Sequence, residues 1–476
     1  MLPPVGVGRL SAAVPGTPAR RGLLHDARRI AALAWPLFFG QLAVLAFSTV
    51  DTVMTARHSA VDLAALAVGG AVYITVFVGF MGVILAIGPI AGQLFGAGKL
   101  QEAGRQLHQA IWLALFMSVL GCTVLLFPQP FLALSHAEGE VAEKVRGYLH
   151  ALAFALPSAL LFTAFRGFNT AVSRPKIVMA LQFGALVLKV PLNAVLVFGA
   201  DLGPLHVPAF GAQGCGIATA MVMGCQLFAA WEVLRRDPFY ARFGLASGSL
   251  ALPDRASLMG LLHLGVPMGL SIGIEVTGFT FMAFFIARLG PTPVAGHQIA
   301  VNMVSVMFMM PLALANATST LVAQRIGADD ARDAARIGWH GLQVGVIIAS
   351  AMGAVVYLTR QSLMHAYTHD EVIIAAAMPL LAWVLLFHIA DAVQTITAFT
   401  LRAYKIATVP VLIYAGSLWG VGLGGGYVLA FNLTGQSPPA LQGALGFWAA
   451  STTGLTLAAS CLASFLIWML RQRSSR

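Results

Sequence analysis

Twelve apolar stretches, each long enough to cross a bilayer, leave this 476-residue chain little alternative to an integral membrane fold. Their approximate limits are 31–56, 64–94, 107–130, 148–172, 177–199, 212–234, 258–288, 294–324, 337–358, 374–399, 408–431 and 441–470. About 20 helical residues cover the hydrocarbon core, and several stretches exceed that, which predicts tilted or kinked helices. Pro36, Pro89, Pro157, Pro191, Pro267 and Pro311 fall in or near these spans, where neighbouring helices satisfy the freed carbonyls. Only 10% of residues are charged, against about 25% in soluble domains, so a water-soluble globule is excluded.

The net charge of +10 is arranged for orientation, not for nucleic acid. With loops assigned alternately to two sides, Arg57, Lys144, Arg146, Arg288 and Arg360 fall on one side and Lys189 within a span. The rest of the 28 Lys and Arg residues share the side of the two termini, which predicts cytoplasmic termini. No continuous basic stripe runs along the chain, so no nucleic-acid partner is expected. Residues 1–30 carry Arg9, Arg20, Arg21, Arg28 and Arg29 without an apolar core, and read as a disordered cytoplasmic tail. Cys122, Cys215, Cys225 and Cys461 lie in separate spans with no metal-binding spacing, and are expected to be small buried hydrophobes.

The chain matches itself at an offset of 231 residues, pairing Pro36 with Pro267, Arg57 with Arg288, Gln93 with Gln324, Gly96 with Gly327 and Arg105 with Arg336. At an offset of 234, Thr163-Ala164-Phe165 matches Thr397-Ala398-Phe399. Each repeat holds six spans, and an even number returns the chain to its starting side. The fold class predicted is therefore an all-α integral membrane protein with twelve transmembrane helices, in two six-helix bundles related by a pseudo-two-fold axis along the membrane normal. The bundles are expected at 31–234 and 258–470, joined by a cytoplasmic linker at 235–257 and followed by a cytoplasmic tail at 471–476.

Asp51, Glu275 and Asp391 lie inside apolar spans. An ionised acid there costs roughly 2.5–3.5 kcal/mol even on lenient insertion scales, so each is a candidate for holding a proton, a metal cation or a cationic solute. The bland alternatives are an interfacial aspartate for Asp51 and an interhelical hydrogen bond for Asp391. His388, Gln394 and Thr395 form a polar face with Asp391. Lys189 can pair with Asp51 or snorkel to the cytoplasmic face, and Arg174 and Lys176 at the start of its span favour snorkelling. Asn193 lies one turn further on. Gln298 and Asn302, four apart on one helical face, are candidates to line a cavity near Glu275. An acid caught between a dry setting and a nearby cation can exchange a proton for a positively charged solute, which is antiport chemistry.

The motifs Val50-Asp51-Thr52-Val53-Met54, Gly92-Gln93-Leu94-Phe95-Gly96-Ala97-Gly98, Lys189-Val190-Pro191-Leu192-Asn193, Gly211-Ala212-Gln213-Gly214-Cys215-Gly216, Ile274-Glu275, Ala295-Gly296-His297-Gln298-Ile299-Ala300, and Asp391-Ala392-Val393-Gln394 with Leu401-Arg402-Ala403-Tyr404-Lys405 cover nearly the whole chain after residue 30. In order and placement they resemble the multidrug and toxic compound extrusion (MATE) transporters, NorM-like bacterial branch. The resemblance implies a V-shaped pair of bundles and alternating access in the bacterial inner membrane. It also implies export of small cationic organic drugs or dyes against inward Na⁺ or H⁺, with no cofactor beyond the coupling ion. By motif, Glu275 and Asp391 resemble the cation site of the C-terminal half, and would be the metal ligands if the ion is Na⁺. Asp51 and Asn193 resemble the polar site of the N-terminal half. Phe387, one turn before Asp391, replaces a tyrosine that relatives can carry, which removes a hydroxyl ligand for Na⁺. Met282 stands opposite Asp51 in the repeat, so the halves differ chemically. A monomer surrounded by membrane lipid is expected.

The alternative is a lipid-linked oligosaccharide flippase of the same superfamily, which would call for interior cations against a pyrophosphate, whereas three interior acids and one lysine are read here. A membrane enzyme is not expected, because no HExxH, P-loop or clustered His or Cys is present.

Overall fold

The computed structural model describes residues 22–135, 138–202, 205–246 and 250–474. Its twelve helices long and apolar enough to cross a membrane are α1 Leu23–His58, α2 Ala60–Gly96, α3 Leu100–Leu126, α4 Gly139–Ala171, α5 Pro175–Phe198, α6 Ala212–Arg236, α7 Arg255–Ala287, α8 Pro291–Gly327, α9 Ala331–Tyr367, α10 Val384–Ala403, α11 Thr408–Ala430 and α12 Ala444–Gln472. They form two bundles of six, α1–α6 and α7–α12, as the duplication predicts. Residues 1–21 of the expected tail lie outside the described residues, and α1 begins at Leu23, well before the limit of 31. Within that stretch Asp26 is buried and bonded to α9.

Two spans are interrupted. The second breaks at Leu85 and Ala86, just ahead of Pro89, whose missing N–H suits the first turn of a new helical segment. The tenth was expected as one run over 374–399, but a short helix, Glu371–Leu381, precedes α10 and turns at Ala382 and Trp383. In α11 the stretch Ala415–Gly424 is wound as a π-helix. Such wide turns are rare and concentrate at functional sites. A short antiparallel hairpin, Ala200–Leu202 with Leu205–Val207, joins α5 to α6.

The helix ends fix the register of the repeat. Gly98 and Asp329 both take positive φ just after α2 and α8, 231 residues apart. Ser173 and Lys405 do the same after α4 and α10, 232 apart. The match of Thr163-Ala164-Phe165 with Thr397-Ala398-Phe399 at 234 is therefore not the structural equivalence.

Hydrogen bonds joining the bundles cluster at the face that carries the ends of α1 and α12. Gln93 Nε2 donates to the Ala403 carbonyl at 2.8 Å, and Gln324 Nε2 donates to the Ala171 carbonyl at 2.7 Å. Both pairs of partners are related by the repeat. Between them Gly96 packs on the Gln324 carbonyl and Gly327 on the Gln93 carbonyl, where a Cβ would overlap the oxygen. Asp26, 1% exposed, accepts from Arg336 Nε at 3.1 Å and lies 2.7 Å from His340 Nδ1, tying α1 to α9. Terminal-face closure thus rests on backbone contact at glycines and on paired polar groups.

The linker is not a free loop. Tyr240 and Phe243 are buried against Phe168 and Phe95 of the first bundle, and the Tyr240 hydroxyl donates to Asn169 Oδ1. Further along, Gln109 Nε2 donates to the Leu252 carbonyl at 2.9 Å and Trp112 Nε1 to that of Ala251 at 2.9 Å.

Candidate functional site

Each bundle places charge in its interior, but by different means. In the first bundle Asp51 of α1 faces α5, where Lys189 Nζ lies 3.0 Å from its Oδ1 and Asn193 Nδ2 donates to the same oxygen at 2.7 Å. Lys189 and Asn193 are four residues apart, so both meet the acid from one helical face. Lys189 is 0% exposed, which corrects the expectation that it snorkels. Its ammonium also donates to Thr219 Oγ1 of α6 and points at the Cys215 carbonyl, 3.5 Å away. Cys215 is buried as expected, whereas Cys225 and Cys461 are exposed on the outside of the helices.

In the second bundle Glu275 of α7 and Asp391 of α10 converge on one amide. Gln394 Nε2 lies 3.0 Å from Asp391 Oδ1 and 3.4 Å from Glu275 Oε1, and the Tyr414 hydroxyl donates to Gln394 Oε1. Asp391 is 4% exposed, while Glu275 keeps a partly open side. Beside them is a cavity of about 40 Å³, lined among others by Met282, Phe387, Gly422 and Ser451. About 10–15 Å³ of such space is enough to hold one water, so the cavity has room for water or a small ion. Phe387 presents only its ring to this space, so no hydroxyl reaches it from that position. Trp419, in the π-helical stretch, donates to the Ile274 carbonyl at 3.1 Å and so fixes α11 beside the residue that precedes Glu275.

Other expected residues separate. His388 is fully buried three residues before Asp391 on α10, with no hydrogen-bond partner at either ring nitrogen among the described residues. Gln298 and Asn302 are exposed, and neither lines the carboxylate cavity. Asn302 instead accepts from the Tyr367 hydroxyl at 3.0 Å.

Several polar residues escape the sequence reading. Arg402, assigned to the terminal face by its position after the tenth span, is 4% exposed, with its guanidinium 4.3 Å from the Phe399 ring and its charge acting on Glu275. Arg402 is therefore an interior cation besides Lys189, which corrects the expected balance of three acids and one lysine. Tyr414, which supports Gln394, gave no signal beyond being a tyrosine in an apolar span. Asp62, at a predicted span edge, is 1% exposed and accepts from Lys144 Nζ at 3.0 Å and from the Ala212 N–H at 3.0 Å, with His58 Nδ1 at 2.8 Å. Gly211, at φ +56°, lets that carboxylate reach the start of α6, because a Cβ there would overlap it. The clue available in the sequence is the spacing of His58 and Asp62, four residues apart.

Two repeated six-helix bundles, joined at one face and each enclosing polar groups at mid-helix, define a membrane transporter. The MatE family model matches residues 36–195 and 267–428, one match in each bundle and starting at the repeat-related prolines Pro36 and Pro267. The chain belongs to this family, the multidrug and toxic compound extrusion transporters.

Relatives agree along nearly the whole length. A protein of Aromatoleum aromaticum named "Probable multidrug resistance protein NorM" is 39% identical over 444 residues, covering 92% of each chain. "Multidrug resistance protein NorM" of Vibrio cholerae is 34% identical over 457 residues, 94% of this chain and 96% of that one. Among solved structures, the Vibrio cholerae MATE transporter VcmN in its bent form superposes with a TM-score of 0.82 at 18% identity, covering 94% of this chain and 98% of that one. An outward-facing multidrug resistance MATE family transporter superposes at 0.83 with 17% identity, covering 95% and 97%. These structures carry the fold.

Proposed function

We propose that the chain is a secondary active multidrug exporter that antiports cationic organic drugs or dyes against inward Na⁺ or H⁺ by alternating access. It works as a monomer in a bacterial inner membrane, with the terminal face cytoplasmic. The positive-inside distribution supports that orientation. Glu275 and Asp391 are the coupling carboxylates, and their shared contact with the Gln394 amide is the observation that carries the assignment. Two acids sharing one neutral donor, with the single charge of Arg402 acting on Glu275, keep an unmet demand for positive charge. A proton or Na⁺ meets it from one side, and a cationic solute competing for the same charge leaves by the other. Gln394, held by Tyr414, orients the acids.

The test is efflux of a fluorescent organic cation from proteoliposomes of known orientation, with a Na⁺ gradient and a pH gradient imposed separately. Transport driven by one gradient, lost in Glu275→Gln and Asp391→Asn, is expected and names the ion. Full activity in both variants would sink the assignment. No transport under either gradient by folded protein would turn the reading toward a lipid-linked oligosaccharide flippase.

A further inference from the structure

The acid of the first bundle already has a cation. Lys189 Nζ lies 3.0 Å from Asp51 Oδ1, is bonded to Thr219 Oγ1 and faces the Cys215 carbonyl at 3.5 Å. An ammonium has three N–H donors, and these three oxygens account for them. Carboxylate, hydroxyl and backbone carbonyl are also the oxygen types that replace water around a small inorganic cation. The ring of Phe47, 5.1 Å from Nζ, closes another side. Asp51 Oδ1 takes a second donor from Asn193 at 2.7 Å, leaving that oxygen no need of a further partner. The second bundle differs: Met282 stands where Asp51 would be, Glu275 and Asp391 share a neutral amide at hydrogen-bond range, and the Arg402 charge acts on Glu275 without an ion pair to either acid among the described residues.

We infer that the Lys189 ammonium is a resident cation filling the ion site of the first bundle, so that Asp51 takes up neither a proton nor Na⁺ and ion coupling resides in Glu275 and Asp391 alone. The inference rests on the ion-coupled reading above and narrows it to one bundle. Lys189 is fully buried and Asp51 13% exposed, so removing the lysine would leave a largely buried carboxylate without its cation, which such a pair resists. The other titratable groups acting on the pair are the Cys215 thiol of α6 and the Tyr148 phenol of α4, with the Thr55 hydroxyl of α1 beside them. None of these supplies a second positive charge.

The test counts ions bound by purified protein without any drug, using a pH-indicator dye in weak buffer for protons and equilibrium dialysis of radioactive Na⁺. With Lys189 in place, Glu275→Gln/Asp391→Asn is expected to bind neither. Adding Lys189→Gln to that background should restore one ion per protein, and a further Asp51→Asn should remove it. In the otherwise native chain, Asp51→Asn/Lys189→Gln removes both charges together, strands neither, and should leave the ion count at its native value. A fall in that count would overturn the inference, as would failure of Lys189→Gln to restore an ion in protein that keeps its native melting temperature. If the Glu275→Gln/Asp391→Asn protein still binds an ion, Asp51→Asn separates the cases: loss of the ion overturns the inference alone, and its persistence overturns the coupling assignment as well.

Discussion

Gly96 and Gly327 hold reciprocal positions at the terminal face, Gly96 on the carbonyl of Gln324 and Gly327 on the carbonyl of Gln93. The repeat that places the glycines 231 residues apart places their glutamines at the same spacing. Each contact is backbone on backbone, so no side chain can move aside. Alanine at either glycine should cost the closed arrangement roughly 1–3 kcal/mol, the usual penalty of overpacking. A cysteine placed at Ala323, which packs on Gly92, should then react several-fold faster with an impermeant maleimide from the terminal face. Unchanged labelling in both variants would count against closure at this point.

Gln394 is expected to matter more than its neutral side chain suggests. In Gln394→Leu the two carboxylates lose their shared donor and Tyr414 loses its acceptor. Hydrogen bonds to charged groups contribute about 1.5–3 kcal/mol, so coupled efflux should fall about tenfold or more. Tyr414→Phe removes only the support and should cost less. Initial rates of dye efflux in proteoliposomes, at matched protein density, rank the two.

Asp62 is a structural acid. Asp62→Ala would leave Lys144 with Glu140 alone, remove the partner of His58 and uncap the start of α6 at Ala212. Lys144 and His58 are 29% and 26% exposed, so the main loss is the buried acceptor of the Ala212 N–H, about 1–3 kcal/mol, and the melting temperature of the purified protein should drop. Asp62→Asn keeps an acceptor for the Ala212 N–H and should fall between the alanine variant and the native protein.

Tyr240 gives the linker a signature at high pH. Burial pushes its phenol up to about 12, so the folded protein binds that proton more tightly than the unfolded chain does. Its contribution to stability is complete below pH 10 and is lost as pH rises from 10 through about 12. Tyr240→Phe should remove this step from a plot of melting temperature against pH, while lowering stability at neutral pH through the lost bond to Asn169.

What the sequence revealed and what it hid divide along physical lines. Twelve spans and a duplication are statements about length and spacing, and both survive because bilayer thickness and helix rise leave little freedom. Lys189 is different: snorkelling and pairing with Asp51 need the same side chain at nearly the same depth, and only the packing of α5 on α1 separates them. Gln298 and Asn302 were correctly placed on one face, but spacing does not say which neighbour a face meets. Arg402 and Asp62 lie near span ends, where a charge reads as solvated until a bundle closes over it. The π-helical winding of Ala415–Gly424 has no signature in the sequence, because hydrogen-bond register along a helix is not written in its composition.

The linker spans 235–257, long enough to tether two bodies loosely, yet its described residues are fastened at several points. Tyr240 and Phe243 are embedded in the first bundle, α3 grips the chain again at Ala251 and Leu252, Gln109 accepts from the Asp254 N–H at 2.8 Å, and Gln106 donates to Ser257 at 3.1 Å. A strap fastened at so many points travels with the bundle that holds it. Any rocking of one half against the other must then pivot at its last fastening, the first turn of α7, so the length of this segment sets no limit on how far the halves swing.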